Sequence, residues 1–137
     1  VEAYPLSLDT IRNMGYEQYI DPALWDSYLE GYEAALSAPI AIESDIQLQI
    51  AHQKILDLKA TIAFDVVYFD AFAALHQPDM WSDEVLAHVA GLMNPGAVFV
   101  TYAITGDLKR SMKALGFTIE KAPGAPGKRE MLRATKA

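Results

Sequence analysis

The 137-residue chain contains no cysteine, which excludes a disulfide framework, a thiolate metal site and a catalytic thiol and fits a cytoplasmic protein. No apolar run approaches the roughly 18 residues that would span a bilayer, so no membrane partner is expected. The three histidines, His52, His76 and His88, have no ligand spacing, and no metal is expected. No signal peptide is visible, but the chain begins at Val1 rather than Met, so that absence excludes little. Positive charge is also scarce through most of the length, since residues 1–106 hold 3 basic against 15 acidic residues.

What is present begins with apolar residues, 52% of the total, enough for a packed core. The net charge of −7 argues against a nucleic-acid binder as a whole, but residues 107–137 hold 8 basic and 3 acidic residues. A basic end on an acidic body is a footprint for a polyanion; a soluble tail with Lys-rich helix faces has the same composition, and both readings stand.

Val1 to Tyr4 reads as the end of a strand stopped by Pro5. Ser7 caps a short helix through Asn13 that Gly15 closes, and Pro22 opens a second helix. Leu24, Trp25, Tyr28, Leu29, Tyr32 and Leu36 form its apolar stripe. Ile40 to Ile42 and Ile46 to Ala51 are candidate strands, and Lys54 to Leu58 a helical turn. Phe64 to Phe69 reads as a central parallel strand covered on both faces. Met80 to Met93 is expected to be helical, stopped by Asn94-Pro95-Gly96. Ala97 to Tyr102 is a strand, and Thr105 or Asp107 caps a helix that buries Leu108, Met112 and Leu115. Phe117 to Lys121 and Glu130 to Thr135 are joined by a loop too short for a crossover, so they pair antiparallel. The alternation is that of an α/β doubly wound sheet. The glycines at 124 and 127 do not lead from a strand into a helix, so they form no nucleotide loop.

One feature carries chemistry. The strand through Val66-Val67-Tyr68-Phe69 ends on Asp70 beside Phe72, and open α/β sheets bind ligands where parallel strands run out. An Asp after a strand also makes turns and caps helices, so from position alone both roles stand for Asp70. Phe72 either stacks on a base or packs in the core. Trp81 reads as packing beneath the loop.

Four blocks come in a recognisable order: Tyr68-Phe69-Asp70-Ala71-Phe72-Ala73, Gln77-Pro78-Asp79-Met80-Trp81, Asn94-Pro95-Gly96, and Gly124-Ala125-Pro126-Gly127-Lys128-Arg129-Glu130-Met131. Together they resemble the S-adenosylmethionine-dependent methyltransferases that finish 5-methylaminomethyl-2-thiouridine in tRNA, either alone (MnmD) or as the methyltransferase half of bifunctional MnmC. The resemblance covers essentially the whole chain. Val1 to Ser7 is similar to the family's second strand, whose acid grips the cofactor ribose. The family's glycine-rich turn after its first strand is missing here. Residues 1–137 are therefore expected to be the C-terminal portion of a single methyltransferase domain, with a Rossmann-like, mostly parallel sheet ending in an antiparallel strand pair and its N-terminal part absent. Around Gln53 and Lys54 the acid that many relatives carry near the adenine is also missing.

The resemblance implies methyl transfer from S-adenosyl-L-methionine to the 5-aminomethyl group of the wobble uridine, with neither metal nor flavin in this chain. Asp70 would be the catalytic base, because an amine attacks only after losing its extra proton. Glu2, Tyr4, Phe69 and Asp70 would hold the cofactor. Phe72, Pro78, Tyr102, Lys128 and Arg129 would hold tRNA, although Glu2 also reads as a surface acid and Lys128 and Arg129 as partners for Glu130. A separate flavin-dependent oxidase acting earlier in the pathway is an implied partner. Two other readings stand beside this one: a methyltransferase of the same fold on another amine or small molecule, and a degenerate module that keeps only an RNA or protein contact.

Overall fold

The structure, a computed structural model, describes residues 1–124, 126, 127 and 130–137; the expected tRNA contacts Lys128 and Arg129 lie outside the described residues. The chain divides into two units, Val1–Leu58 and Lys59–Ala137.

In the first unit, Ser7 caps α1 (Leu8–Arg12) by accepting from the Thr10 N–H, as its position implies. Asp21 caps α2 (Pro22–Ala35) through Ala23 and Leu24, and Pro22 fills a first-turn position whose N–H no helical bond requires. The α2 stripe buries Trp25 and Tyr32 against Ile11, with Tyr28, Leu29 and Leu36 packed alongside. β1 (Ile40–Glu43) and β2 (Ile46–Leu48) form an antiparallel hairpin. Gly31 of α2 faces Ile40 of β1, and a Cβ there would have to displace the terminal methyl of the Ile40 side chain. Past β2 the chain runs on irregularly, with Ile50 N–H donating to Ala35 O at 2.8 Å. The strand expected over Val1–Tyr4 is reduced to one parallel bridge between Glu2 and His52.

The second unit is a four-stranded sheet in the order β3-β4-β6-β5, formed by β3 (Phe64–Tyr68), β4 (Met93–Thr101), β5 (Phe117–Pro123) and β6 (Glu130–Lys136). β3 and β4 pair parallel, and β6 enters between β4 and β5, antiparallel to both. Helices α3 (Asp83–Gly91) and α4 (Gly106–Ala114) supply Val85, Leu86, Val89, Leu108 and Met112 to a core completed by Phe99, Phe117, Leu132 and Ala134. Thr105 caps α4.

Three local expectations change. The apolar run Phe64–Phe69 forms an edge strand, not a central one, and Val66 and Tyr68 are 51% and 83% exposed. A continuous apolar run shows a capacity for burial but does not say which strands lie beside it. α3 starts at Asp83, capped by Ser82, after a 3₁₀ turn over Pro78–Trp81. Asn94-Pro95-Gly96 does not end the helix but lies within β4: Phe64 pairs with Met93 and Val66 with Val98, so the triplet bulges from the ladder with Gly96 at φ 80°. Asn94 Nδ2 donates to Asp65 Oδ1 at 2.9 Å, holding the bulge to β3.

Candidate active site at the rim of the sheet

The rim is built by alternation along one strand. Phe69 N–H donates to Val100 O at 2.9 Å, continuing the β3–β4 pairing one residue past Tyr68. The Phe69 ring is buried, stacked on Phe99 with centroids 5.4 Å apart and edge-on to Trp81 at 5.3 Å. With Phe69 anchored inward, Asp70 lies in solvent. Among the described residues its carboxylate has no hydrogen-bond or ion-pair partner. It therefore caps no helix and closes no turn, and Ser82 fills the capping role at α3.

The loop that follows is pinned at Phe72. Its N–H donates to Gln77 Oε1 at 3.1 Å, and its carbonyl accepts from Trp81 Nε1 at 2.7 Å. Trp81 thus packs beneath the loop as expected. The Phe72 ring is 76% exposed, which removes the core-packing alternative. Fixing both sides of its peptide presents a large ring to water without leaving the backbone loose. Gln77 is the residue here whose role its sequence position did not announce: a lone amide side chain has no pattern, and its partner appears only once the loop closes. Pro78 opens the 3₁₀ turn and is exposed.

Tyr68 pairs with Val100 in parallel register, so β3 and β4 leave the sheet at the same rim. Asp70 and Tyr102, each two residues further on, share that rim with Phe72. Tyr102 is 44% exposed. In the first unit Glu2 Oε1 accepts from Tyr4 N–H at 2.9 Å, and the Tyr4 side chain is exposed.

Each unit also has a cavity, and Asp70 lines neither. The first unit's is an apolar groove of about 670 Å³ whose walls include Trp25, Tyr28, Tyr32, Ile42 and Ile46, with Glu2 the acid in its lining. Burial, with Tyr32 next to it, raises the Tyr28 hydroxyl above its ordinary pKa. The second unit's is a cleft of about 720 Å³ between α3 and α4, whose lining mixes apolar side chains such as Trp81 and Leu115 with charged ones. Its polar and charged groups have partners within it: Ser111 Oγ donates to Asp83 at 2.5 Å, and Arg110 pairs with Asp107. Among the described residues no group of three or more His, Asp or Glu is placed to hold a metal ion, and no helix is long and apolar enough to cross a membrane.

Comparison with known proteins bears on what this rim belongs to. A family model described as S-adenosyl-L-methionine-dependent methyltransferase matches residues 16–137. The bifunctional protein MnmC of tRNA 5-methylaminomethyl-2-thiouridine biosynthesis from Magnetococcus marinus is 33% identical over 109 residues, 80% of this chain and 16% of that protein. Its counterpart from Pseudomonas entomophila is 32% identical over 147 aligned residues, covering 96% of this chain and 21% of that protein. The chain thus spans about a fifth or less of the length of these relatives. MnmC2 from Aquifex aeolicus has a similar fold, with a TM-score of 0.61 and 17% identity over 80% of this chain and 36% of that one. These matches agree with the family that the blocks around Asp70 and Glu130 resemble. The chain belongs to the S-adenosyl-L-methionine-dependent methyltransferases.

Proposed function

We propose that the chain is part of a methyltransferase domain that acts on the 5-aminomethyl group of the wobble uridine of tRNA. The observation that carries this reading is Asp70: an exposed carboxylate without a partner among the described residues, at the C-terminal rim of a parallel strand pair and next to the presented ring of Phe72. The names of the MnmC relatives support tRNA as the substrate.

The residues present suit the cofactor that the family uses. Asp70 has an uncommitted carboxylate. The Phe69 ring is held in the core, so the contact proposed for this residue is through its backbone. Glu2 and Tyr4, taken within their own unit, are proposed at the ribose: Glu2 Oε1 already accepts from Tyr4 N–H, and the other carboxylate oxygen remains for a hydroxyl. S-adenosyl-L-methionine, when bound, supplies an electrophilic methyl group. Asp70 then has one task, to take the proton of the substrate ammonium or to hold the free amine by a charge-assisted hydrogen bond. Phe72 offers a face on which a splayed base can stack, and Pro78 and Tyr102 are proposed to flank that base. Lys128 and Arg129 are proposed phosphate contacts on the loop before β6. The flavin-dependent oxidase step is proposed to belong to a different protein or domain.

The test is Asp70→Asn, which keeps size and polarity but removes the base. Methyl transfer to tRNA bearing 5-aminomethyluridine is expected to fall by about 10²–10⁴. The circular dichroism spectrum should be unchanged, and S-adenosyl-L-methionine affinity by calorimetry should fall far less than turnover does. Turnover at the parent rate in the variant rejects the base role.

A further inference from the structure

The eight basic residues of 107–137 are not one uniform patch. Arg110 pairs with Asp107, Lys121 with Glu130 at 2.9 Å, and Arg133 with Glu120 at 3.1 Å. Lys136 Nζ donates to Ala90 O in the last turn of α3 and to Met93 O at the start of β4. Lys128 and Arg129 lie outside the described residues. Lys109 and Lys113 remain, and neither has a partner among the described residues.

These two lie one turn apart on α4, on the flank away from Ser111, which bonds Asp83. Like charges at i and i+4 weaken the helix that carries them. Lys113 is in the last turn, where a cation suits the helix dipole, but Lys109 gains nothing from that effect. The placement relative to the rim matters more. α4 begins at Gly106, five residues after β4 ends at Thr101, so its N-terminus is tethered to the rim that carries Asp70 and Tyr102. At about 1.5 Å of rise per residue, Lys109 and Lys113 are about 5 and 10 Å along the helix from that end.

We infer that Lys109 and Lys113 form a two-cation track on α4 that binds the sugar-phosphate backbone of RNA running away from the rim. The inference rests on the tRNA reading of the function and adds the surface on which the strand lies. The nucleotide at the rim is held by its base, whereas its neighbours are held by charge alone, so this contact carries no sequence preference.

The experiment is a salt titration of tRNA binding by the full chain, comparing two double variants that lose the same net charge. Lys109→Ala with Lys113→Ala removes the proposed track; Lys121→Ala with Arg133→Ala removes two cations already paired with acids. For the track variant the slope of log affinity against log salt is expected to fall in magnitude by about 1.4–1.8, with at least about tenfold weaker binding near 0.1 M salt. The paired-cation variant should change little. Lys109→Arg with Lys113→Arg should restore binding.

Equal losses in the two Ala variants would mean that bulk charge alone acts, and would overturn the track, as would unchanged binding in the track variant. Equally tight binding of polyglutamate would overturn the assignment to RNA in favour of an acidic protein surface. The functional reading fails separately. If the track variant binds tRNA normally while Asp70→Asn still abolishes methyl transfer, the track is wrong and the enzyme reading stands. If the parent chain shows no salt-dependent tRNA binding, the track is overturned and tRNA is no longer supported as its partner.

Discussion

Residues 1–58 carry ten acidic and two basic residues, whereas residues 59–137 carry eight and nine. The two units also bury apolar surface differently. In the first, a small cluster around Ile11, Trp25 and Tyr32 opens into a groove lined by other aromatic and branched side chains. In the second, a sheet backed by helices encloses Phe99, Leu86, Met112 and Leu132 almost completely. Where a closed core fixes the alternation of a strand, an exposed acid such as Asp70 is a positional statement, because the residue before it is held inward. In the first unit no buried neighbour fixes Glu2, since Val1 is exposed and Ala3 only half-buried, so its exposure says less. For the same reason Asp70 makes the stronger candidate and Glu2 the weaker.

The largest effect should come from the closed core. Phe99 is 1% exposed and stacks on Phe69, so Phe99→Ala should cost about 3–5 kcal/mol in urea unfolding. Trp25→Ala should cost less despite the larger side chain, because Trp25 already lines an open groove and its loss leaves no sealed cavity. Equal costs would break the comparison. A smaller effect tests how the second unit uses its cations. Lys136 donates to Ala90 O in the last turn of α3 at 2.8 Å and to Met93 O at the start of β4 at 2.7 Å, a tertiary contact in which the cation also meets the negative end of the helix dipole. Lys136→Met keeps the stem and removes the donor. It should lower stability by about 1–2 kcal/mol and speed amide exchange in the last turn of α3. No change would place Lys136 with Lys109 and Lys113, among the cations that the fold does not need.

Local chemistry was the most legible part of the fold. Ser7, Pro22 and Thr105 start their helices where side-chain caps and proline geometry require, and the short loop before Glu130 forces β5 and β6 antiparallel. Neighbour relations were not legible. The apolar run at Phe64 could not reveal that it forms an edge, and Asn94-Pro95-Gly96 has the same residues in a helix stop and in a strand bulge. The candidate site divides in the same way. Asp70 could be placed because a strand followed by a loop must put its last acid at a rim. The exposure of Phe72 could not, because it depends on Gln77 and Trp81 reaching back across the loop to its peptide. Which cations are free was equally hidden: the count is in the composition, but the pairing of Lys121 and Arg133 is across strands.

The smallest effect concerns the open groove and has a definite sign. The Tyr28 ring stacks on Trp25 at 5.6 Å and meets Tyr32 edge-on at 5.8 Å. Burial first, and then the neighbouring Tyr32, raise its pKa above the ordinary value of 10.0. The folded state therefore holds this proton more tightly than the unfolded chain does. Below pH about 10 both states are protonated and the full stability is present; as pH rises through the folded pKa, the unfolded state ionises first and stability falls. Urea midpoints measured from pH 9 to about pH 11.5 should drop more steeply for the parent chain than for Tyr28→Phe, which has no proton to lose at this position. Every other ionisable side chain is common to both proteins, so the difference between the two curves isolates Tyr28. Parallel curves would mean that the groove admits enough water to solvate the phenolate. The contrast between an enclosed second unit and an open first one would then extend to the groove wall itself.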